Sequence, residues 1–363
     1  MIQVPSLILD IEKCKRNIET MALKAQKHGL IFRPHFKTHQ SLEIGRWFKD
    51  FGITKIAVSS LEMALYFSEE WNDITVAFPT NILEIERINL LARKIQLNLL
   101  VESIETVQFL SQNVDYPVGF FIKIDTGYHR TGLLPTKINT IDEILKTSMA
   151  SKNLNFKGFL AHSGHTYTCN SKADVLKIHS QCVNELSILK KKYVTMFPDI
   201  KASLGDTPSC SLADNFGSID EIRPGNFVFY DLMQAKIGAN NMDQIAVAMA
   251  CPIVAIHDDR NEIVIYGGGV HFSKERLESE KDGVIYGRIF ERKGNVWGNI
   301  VPDAYVKSLS QEHGIVSIPG DQIKNHKVGD CLMVLPIHSC MTANLMKRYK
   351  IEGRKDILMM NSQ

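Results

Sequence analysis

The chain has 363 residues, 44% of them hydrophobic, and a formal net charge of +2. That length is a prior for two domains and supplies ample apolar material for a large core. The near-balanced charge gives no electrostatic ground for a nucleic-acid or membrane-surface partner, and no stretch approaches the roughly 18 uncharged apolar residues of a membrane span.

The run Met1-Ile2-Gln3-Val4-Pro5 lacks the basic and apolar regions of a signal peptide. The seven cysteines (Cys14, Cys169, Cys182, Cys210, Cys251, Cys331 and Cys340) are odd in number and contain no C-x-x-C pair. Such usage fits a reducing compartment, here the cytoplasm, and mostly buried thiols. Asp10 is placed to cap a helix whose apolar positions Ile11, Cys14, Ile18, Met21 and Ala25 recur near the 3.6 period, and Gly29 stops it. Strands are predicted near 30–34, 54–58, 74–78, 96–101, 118–124, 156–162, 200–204 and 219–223. Helical patterns fall between most of them, at 61–69, 82–94, 103–112, 137–149 and 171–195. Short apolar strands alternating with helices imply a parallel sheet. Eight such units predict an α/β fold, a closed (β/α)8 barrel, with an open doubly wound sheet as runner-up. After about residue 240 strand-like runs at 245–256, 262–266, 314–318 and 330–335 follow one another without helices. Turn clusters such as Gly267-Gly268-Gly269 separate them. The expected domains are therefore a barrel over 6–240 and an all-β domain over 241–363, which residues 1–5 are free to join.

Lys37 lies in the run Phe32-Arg33-Pro34-His35-Phe36-Lys37-Thr38-His39. Proline fixes φ and lacks an N–H, so the lysine stands just past the end of a strand. Burial and neighbouring cations both lower a lysine pKa, and a neutral amine is a nucleophile suited to a Schiff base. Taken alone, the run reads more plainly as a basic surface loop. The other polar residues collect at the C-terminal ends of the predicted strands, the face on which barrel enzymes carry their sites. Strand five leads into Asp125-Thr126-Gly127-Tyr128-His129-Arg130 and strand six into His162 and Tyr167. Strand seven leads into Gly205-Asp206-Thr207-Pro208-Ser209 and strand eight into Arg223-Pro224-Gly225-Asn226. Thr207 and Ser209 offer hydroxyls and backbone N–H groups to an anion, and phosphate is often held after the last two barrel strands. The same stretch also reads as a turn with proline at the first helical position, and Gly225-Asn226 as a turn alone. Arg130 suits a carboxylate or a cofactor oxygen, or a surface pair with Asp125. A lone histidine or tyrosine, such as His162 or Tyr167, is more often structural.

Late in the chain, His338 and Cys340 stand at i and i+2 on a segment expected to be extended, which points both to one side. Imidazole plus thiolate suits zinc better than magnesium or calcium, and two protein ligands leave positions open for water or substrate. Alone the motif is weak, and a buried cysteine beside an ordinary histidine is the plainer reading.

Four motifs occur in a fixed order: Arg33-Pro34-His35-Phe36-Lys37-Thr38-His39, Gly205-Asp206-Thr207-Pro208-Ser209, Glu221-Ile222-Arg223-Pro224-Gly225 and His338-Ser339-Cys340. On these, from about residue 5 to about residue 346, the chain resembles the D-threonine aldolase and D-serine dehydratase group of pyridoxal-phosphate enzymes. That group shares the alanine-racemase-like fold, a (β/α)8 barrel plus a β domain. The resemblance implies that Lys37 holds pyridoxal 5'-phosphate covalently, that Thr207, Gly225 and Asn226 contact its phosphate, and that Tyr167 lies beside it. It implies that Arg223 faces the pyridine nitrogen, that Arg130 acts on the active face, and that His338 and Cys340 hold a divalent metal, zinc. In this group His-x-Cys accompanies the dehydratases and His-x-Asp the aldolases. The implied reaction is thus dehydration of a D-β-hydroxy amino acid such as D-serine to an oxo acid and ammonia, with the lysine amine as base. The alternatives are retro-aldol cleavage of the D-threonine type, racemisation, and a non-catalytic pyridoxal-phosphate carrier. The length beyond the barrel and the His-x-Cys pair disfavour the carrier. Gly267-Gly268-Gly269-Val270-His271-Phe272-Ser273 departs from the better-known dehydratases. A homodimer is implied as well.

Overall fold

A strand, β1 (Ser6–Leu9), and a helix, α1 (Ile11–Lys27), precede the repeating part of the chain. Asp10 caps α1 as its sequence predicts, its Oδ1 accepting from the Lys13 N–H at 3.0 Å. The 3.6-residue stripe Cys14, Ile18, Met21, Ala25 is buried. Gly29, at φ 63°, takes the left-handed conformation that ends the helix. The computed structural model describes residues 2–294 and 296–362.

Eight short strands then alternate with helices: β2 (Ile31–Phe32), β3 (Lys55–Val58), β4 (Asp73–Pro79), β5 (Gln96–Val101), β6 (Val118–Ile124), β7 (Leu154–Ala161), β8 (Lys201–Leu204) and β9 (Glu221–Ile222). They form one parallel sheet in the order β2-β9-β8-β7-β6-β5-β4-β3. Its two outer strands meet. The Phe36 N–H donates to the Ala57 carbonyl and the Ala57 N–H to the Pro34 carbonyl, both at 2.9 Å. The sheet is a closed barrel, and the open doubly wound alternative is excluded. Serines start three of the outer helices. Ser60, Ser103 and Ser171 accept from the N–H groups of Met63, Thr106 and Asp174, each cap being worth ~1 kcal/mol.

All seven residues of β6 are buried, as a strand covered on both faces requires. Leu100, Phe121 and Leu160 form a tight apolar cluster with Ala77 packed against it. The rest of the buried set is not all apolar. Arg33 Nε donates to Glu221 at 2.8 Å and its Nη1 to Asp73 at 2.7 Å. Glu221 in turn accepts from Ser203 Oγ at 2.6 Å, and Ser203 Oγ accepts from Arg223 Nε at 2.7 Å. A buried chain of hydrogen bonds thus runs from Asp73 to Arg223.

The second unit is all-β in its sheet. Its larger strands are β10 (Val247–His257), β11 (Glu262–Tyr266), β12 (Leu277–Ser279), β13 (Gly283–Ile285), β14 (Gly287–Lys293), β15 (Val296–Leu309), β16 (His313–Ser317) and β17 (Cys331–Pro336), with a short pair, Arg348–Tyr349 and Ile357–Leu358, after them. Apart from the separate β12–β13 hairpin, they close an antiparallel ring, β10-β11-β16-β15-β14-β17 and back to β10. β1 pairs with β10 from Ser6 opposite Ala250 to Leu9 opposite Val247. Of these, β1 and β12 to β15 were not legible as strands. β14 carries four charged residues among seven, and β15 is interrupted by glycine, asparagine, proline and aspartate, with irregular register on both of its neighbours.

Contacts divide the chain into a barrel unit of Glu19–Lys37 and Gly45–Gly225, and a β unit of the residues up to Ile18, Thr38–Ile44 and those from Asn226 onward. The sequence expectation set one boundary at 240/241; a boundary drawn in chain order has no way to express segments 1–18 and 38–44. Among the described residues no helix is long and apolar enough to cross a membrane.

Candidate active site

The barrel unit gathers its polar side chains just past the ends of its strands. Lys37 follows the closing segment after β2 and is exposed, not buried as its chemistry would suggest. Burial, then the charges of Lys37, Arg223 and Arg130, hold His35 well below the ordinary histidine range. Burial, then Lys37, Arg130 and Lys123, do the same to His162. Both rings are therefore neutral at pH 7. The tautomers follow from their partners. His35 Nδ1 accepts from the Lys37 N–H at 3.3 Å, which leaves its proton on Nε2. His162 Nδ1 faces the Gly205 carbonyl and so carries its proton there.

Arg223 is buried after β9. Nε is held by Ser203 Oγ and Nη2 by the Ala161 carbonyl at 2.5 Å, while Nη1 has no hydrogen-bond partner among the described residues. Burial draws its pKa down to about 10, against the pull of Glu221, so it stays charged at neutral pH. Gly205 leaves room beside it, because a Cβ there would stand 3.1 Å from Nη1. After β8, Asp206 caps the short helix Thr207–Leu212, accepting from the Ser209 N–H at 2.7 Å and from Thr166 Oγ1 at 3.0 Å. The Thr207 N–H donates to Tyr167 Oη at 3.2 Å, which brings two predicted cofactor residues together. Pro208 is the second helical residue rather than the first.

Arg130 is exposed and lies 4.9 Å over the Tyr128 ring. It does not pair with Asp125, whose carboxylate is taken by the Gly127 and His129 N–H groups and by His129 Nδ1. Tyr128 also stacks on His165, and Gly164 permits this, since a Cβ there would sit 2.3 Å from the tyrosine ring. Sequence reasoning missed Lys123. It is buried in β6, its Nζ donates to the Ile124 carbonyl at 2.9 Å, and burial brings its pKa down to about 8. The available signal was one charge inside a seven-residue apolar run. The donor set is cationic or neutral and fits an anionic, phosphate-bearing cofactor.

The β unit holds the late motif. His338 and Cys340 are not on one extended segment. β17 ends at Pro336, His338 (φ −132°) is the last extended residue, and Cys340 is in the first turn of the helix Ser339–Met346. They still meet. Burial opposes the charge on His338, yet its hydrogen bond with Cys340, helped by Asp231 and Glu275, carries its pKa up to about 9. Cys340 Sγ has two further neighbours in this unit, Thr38 Oγ1 at 3.3 Å and Asn226 Nδ2 at 3.4 Å. Thr38 follows Lys37 in the chain and Asn226 follows Gly225. Asn226, expected at the cofactor phosphate, commits its side chain here, leaving its backbone N–H for that role. Sequence reasoning also missed Asp231, fully buried, whose carboxylate accepts from Asn226 and Ser339. Imidazole and sulfur in contact fit a borderline-soft divalent metal such as zinc.

Two family descriptions match the sequence: "Alanine racemase, N-terminal domain" over residues 9–232 and "Putative serine dehydratase domain" over residues 246–351. The chain is similar to a D-serine dehydratase of Dictyostelium discoideum, 28% identical over 95% of this chain and 92% of that one. It is similar to a 3-hydroxy-D-aspartate aldolase of Paracoccus denitrificans (strain Pd 1222), 26% identical over 95% and 87%. Its fold matches D-threo-3-hydroxyaspartate dehydratase from Delftia sp. HT23 at a TM-score of 0.89 and 23% identity, covering 100% of this chain and 99% of that one. A cysteine-to-alanine variant of that dehydratase, in a metal-free form, matches at the same TM-score.

Proposed function

Because the chain belongs to the D-serine dehydratase and D-threonine aldolase branch of the alanine-racemase-like pyridoxal-phosphate enzymes, a branch of lyases, we propose that it eliminates water from a D-β-hydroxy amino acid such as D-serine. The products are an oxo acid and ammonia. The observation that carries this reading is the sulfur at position 340, in contact with His338, sharing a hydrogen bond with Thr38 Oγ1 and accepting one from Asn226 Nδ2.

Bound pyridoxal phosphate supplies the electron sink that makes the Cα–H bond acidic. Lys37 is the covalent attachment point and the base that takes the Cα proton. The neutral rings of His35 and His162 stand beside it without adding charge. Arg223, charged and anchored through Nε and Nη2, would face the pyridine nitrogen with Nη1 and favour its unprotonated form. Thr207 and the Gly225–Asn226 backbone take the phosphate, Tyr167 supports Thr207, and Arg130 holds a carboxylate. His338 and Cys340 would hold a divalent metal such as zinc, which would supply Lewis acidity toward a hydroxyl leaving group.

The test is a product assay with the cofactor- and zinc-loaded protein. D-serine should give pyruvate and ammonia, and D-threonine 2-oxobutyrate and ammonia. Glycine plus acetaldehyde from D-threonine would assign the aldolase reaction instead. If no D-β-hydroxy amino acid yields either set, both readings fail. Lys37→Ala should lower turnover by roughly 100- to 10,000-fold and remove the protein-bound cofactor absorbance. Cys340→Ala should lose zinc and dehydration while keeping the cofactor.

A further inference from the structure

Asp231 is fully buried, and no side-chain cation is within ion-pair distance of it among the described residues. A bare buried carboxylate is costly unless its lone pairs are satisfied, and here they are. Oδ1 accepts from the Gln234 N–H at 3.0 Å. Oδ2 accepts from Asn226 Nδ2 at 2.6 Å, from the Ser339 N–H at 3.0 Å and from Ser339 Oγ at 3.2 Å. These bonds fix two things at once. The Asn226 amide has only one tenable orientation, because its reverse would set Oδ1 against a carboxylate oxygen. That orientation turns Nδ2 toward Cys340 Sγ, and leaves Asn226 Oδ1 buried without a partner. The Ser339 backbone, the single residue between His338 and Cys340, is pinned by the same oxygen.

We propose that Asp231 is a positioning residue for the His338–Cys340 pair, holding the Asn226 amide as a hydrogen-bond donor to the cysteine sulfur and fixing the backbone between the two ligands. The inference rests on the metal reading above. It assigns Asp231 no contact with metal or substrate. Groups that orient a metal ligand typically change affinity by roughly 10- to 100-fold when removed. Asp231→Asn is the isosteric probe. Both carboxylate oxygens face donors, so an amide must set its own NH2 against one of them.

The measurement is zinc affinity, by competition with a chromophoric chelator, on cofactor-loaded protein stripped of metal. Asp231→Asn should bind zinc roughly 10- to 100-fold more weakly. Its melting profile decides whether the variant is folded; if it is not, Ser339→Ala, which removes one bond to Asp231, carries the test with a smaller loss. Asn226→Ala provides the second arm of a double-mutant cycle. If Asp231 acts through Asn226, adding Asp231→Asn to Asn226→Ala costs little more. A loss additive with both Asn226→Ala and Ser339→Ala means that Asp231 acts only by its charge, and overturns positioning. Unchanged zinc affinity in a folded Asp231→Asn protein also overturns it and leaves the metal reading standing. No zinc uptake by the unsubstituted protein overturns both.

Discussion

Asp206 is a buried carboxyl in a cationic neighbourhood, and burial wins. Its pKa rises to about 6, against the Ser209 and Thr166 hydrogen bonds and the Arg223 charge that pull it down. A carboxyl whose folded pKa lies above its unfolded one binds its proton more tightly when folded, so its contribution to stability falls as pH rises. The loss runs from about pH 4 to about pH 6 and amounts to roughly 3 kcal/mol at most. Asp206→Asn keeps the helix cap, since asparagine accepts as well, and removes the charge. In the cofactor-free protein, the variant should melt higher than the parent at pH 8, with the gap closing at pH 4. An unchanged gap across that range would refute the assignment. The same residue scale marks the limit of sequence reading. Lys37, Thr207, Arg223 and His338 were picked out by the order of four motifs and the resemblance it carries, not by any one run alone. His35 and Lys123 were not, because the burial that chiefly displaces their pKa values, and the Arg223 charge that adds to it, exist only once the barrel closes.

Elements were the most legible level where one period dominates. The barrel strands and the five predicted outer helices fall within a few residues of their predicted limits, since each is a short apolar run or a clean stripe, but the helix Leu42–Lys49 was missed. Failures came where the pattern is mixed, as in β14 and β15, or where a short element is set by its partner, as in β1. The smallest barrel strands, β2 and β9, have two residues each. What joins them beyond their ladder is the buried ion pair of Arg33 and Glu221, extended to Asp73 on β4. Removing one member of a buried pair strands the others and costs about 3–5 kcal/mol. Arg33→Met should lose stability of that size in denaturant melts, and carry Arg223 with it through Glu221 and Ser203. A loss below about 1 kcal/mol, the size of an exposed pair, would show the network to be ornamental.

For the whole molecule, the prediction concerns assembly. Family resemblance implies a homodimer, and two-fold pairs are the commonest closed assemblies. Light scattering should give a mass near twice 41.0 kDa; a monomer that turns over substrate would refute the expectation. Neither the dimer nor the crossings of the chain between units after residues 18, 37, 44 and 225 can be read from periodicity, which reports local burial and not which unit a buried face joins.

The place of β1 has a bearing on how the protein is made. Its partner on one side is Val247–Ala250, and on the other Leu9 donates to the Lys350 carbonyl and Lys350 to that of Leu7. A ribosome adding roughly 5–20 residues per second releases this strand many seconds before either neighbour exists. Until then its backbone edges are open and its four buried side chains are exposed. The pairing joins segments that are far apart in the chain, and closure of a loop of that length, not the local barrel repeats, is a late step of folding.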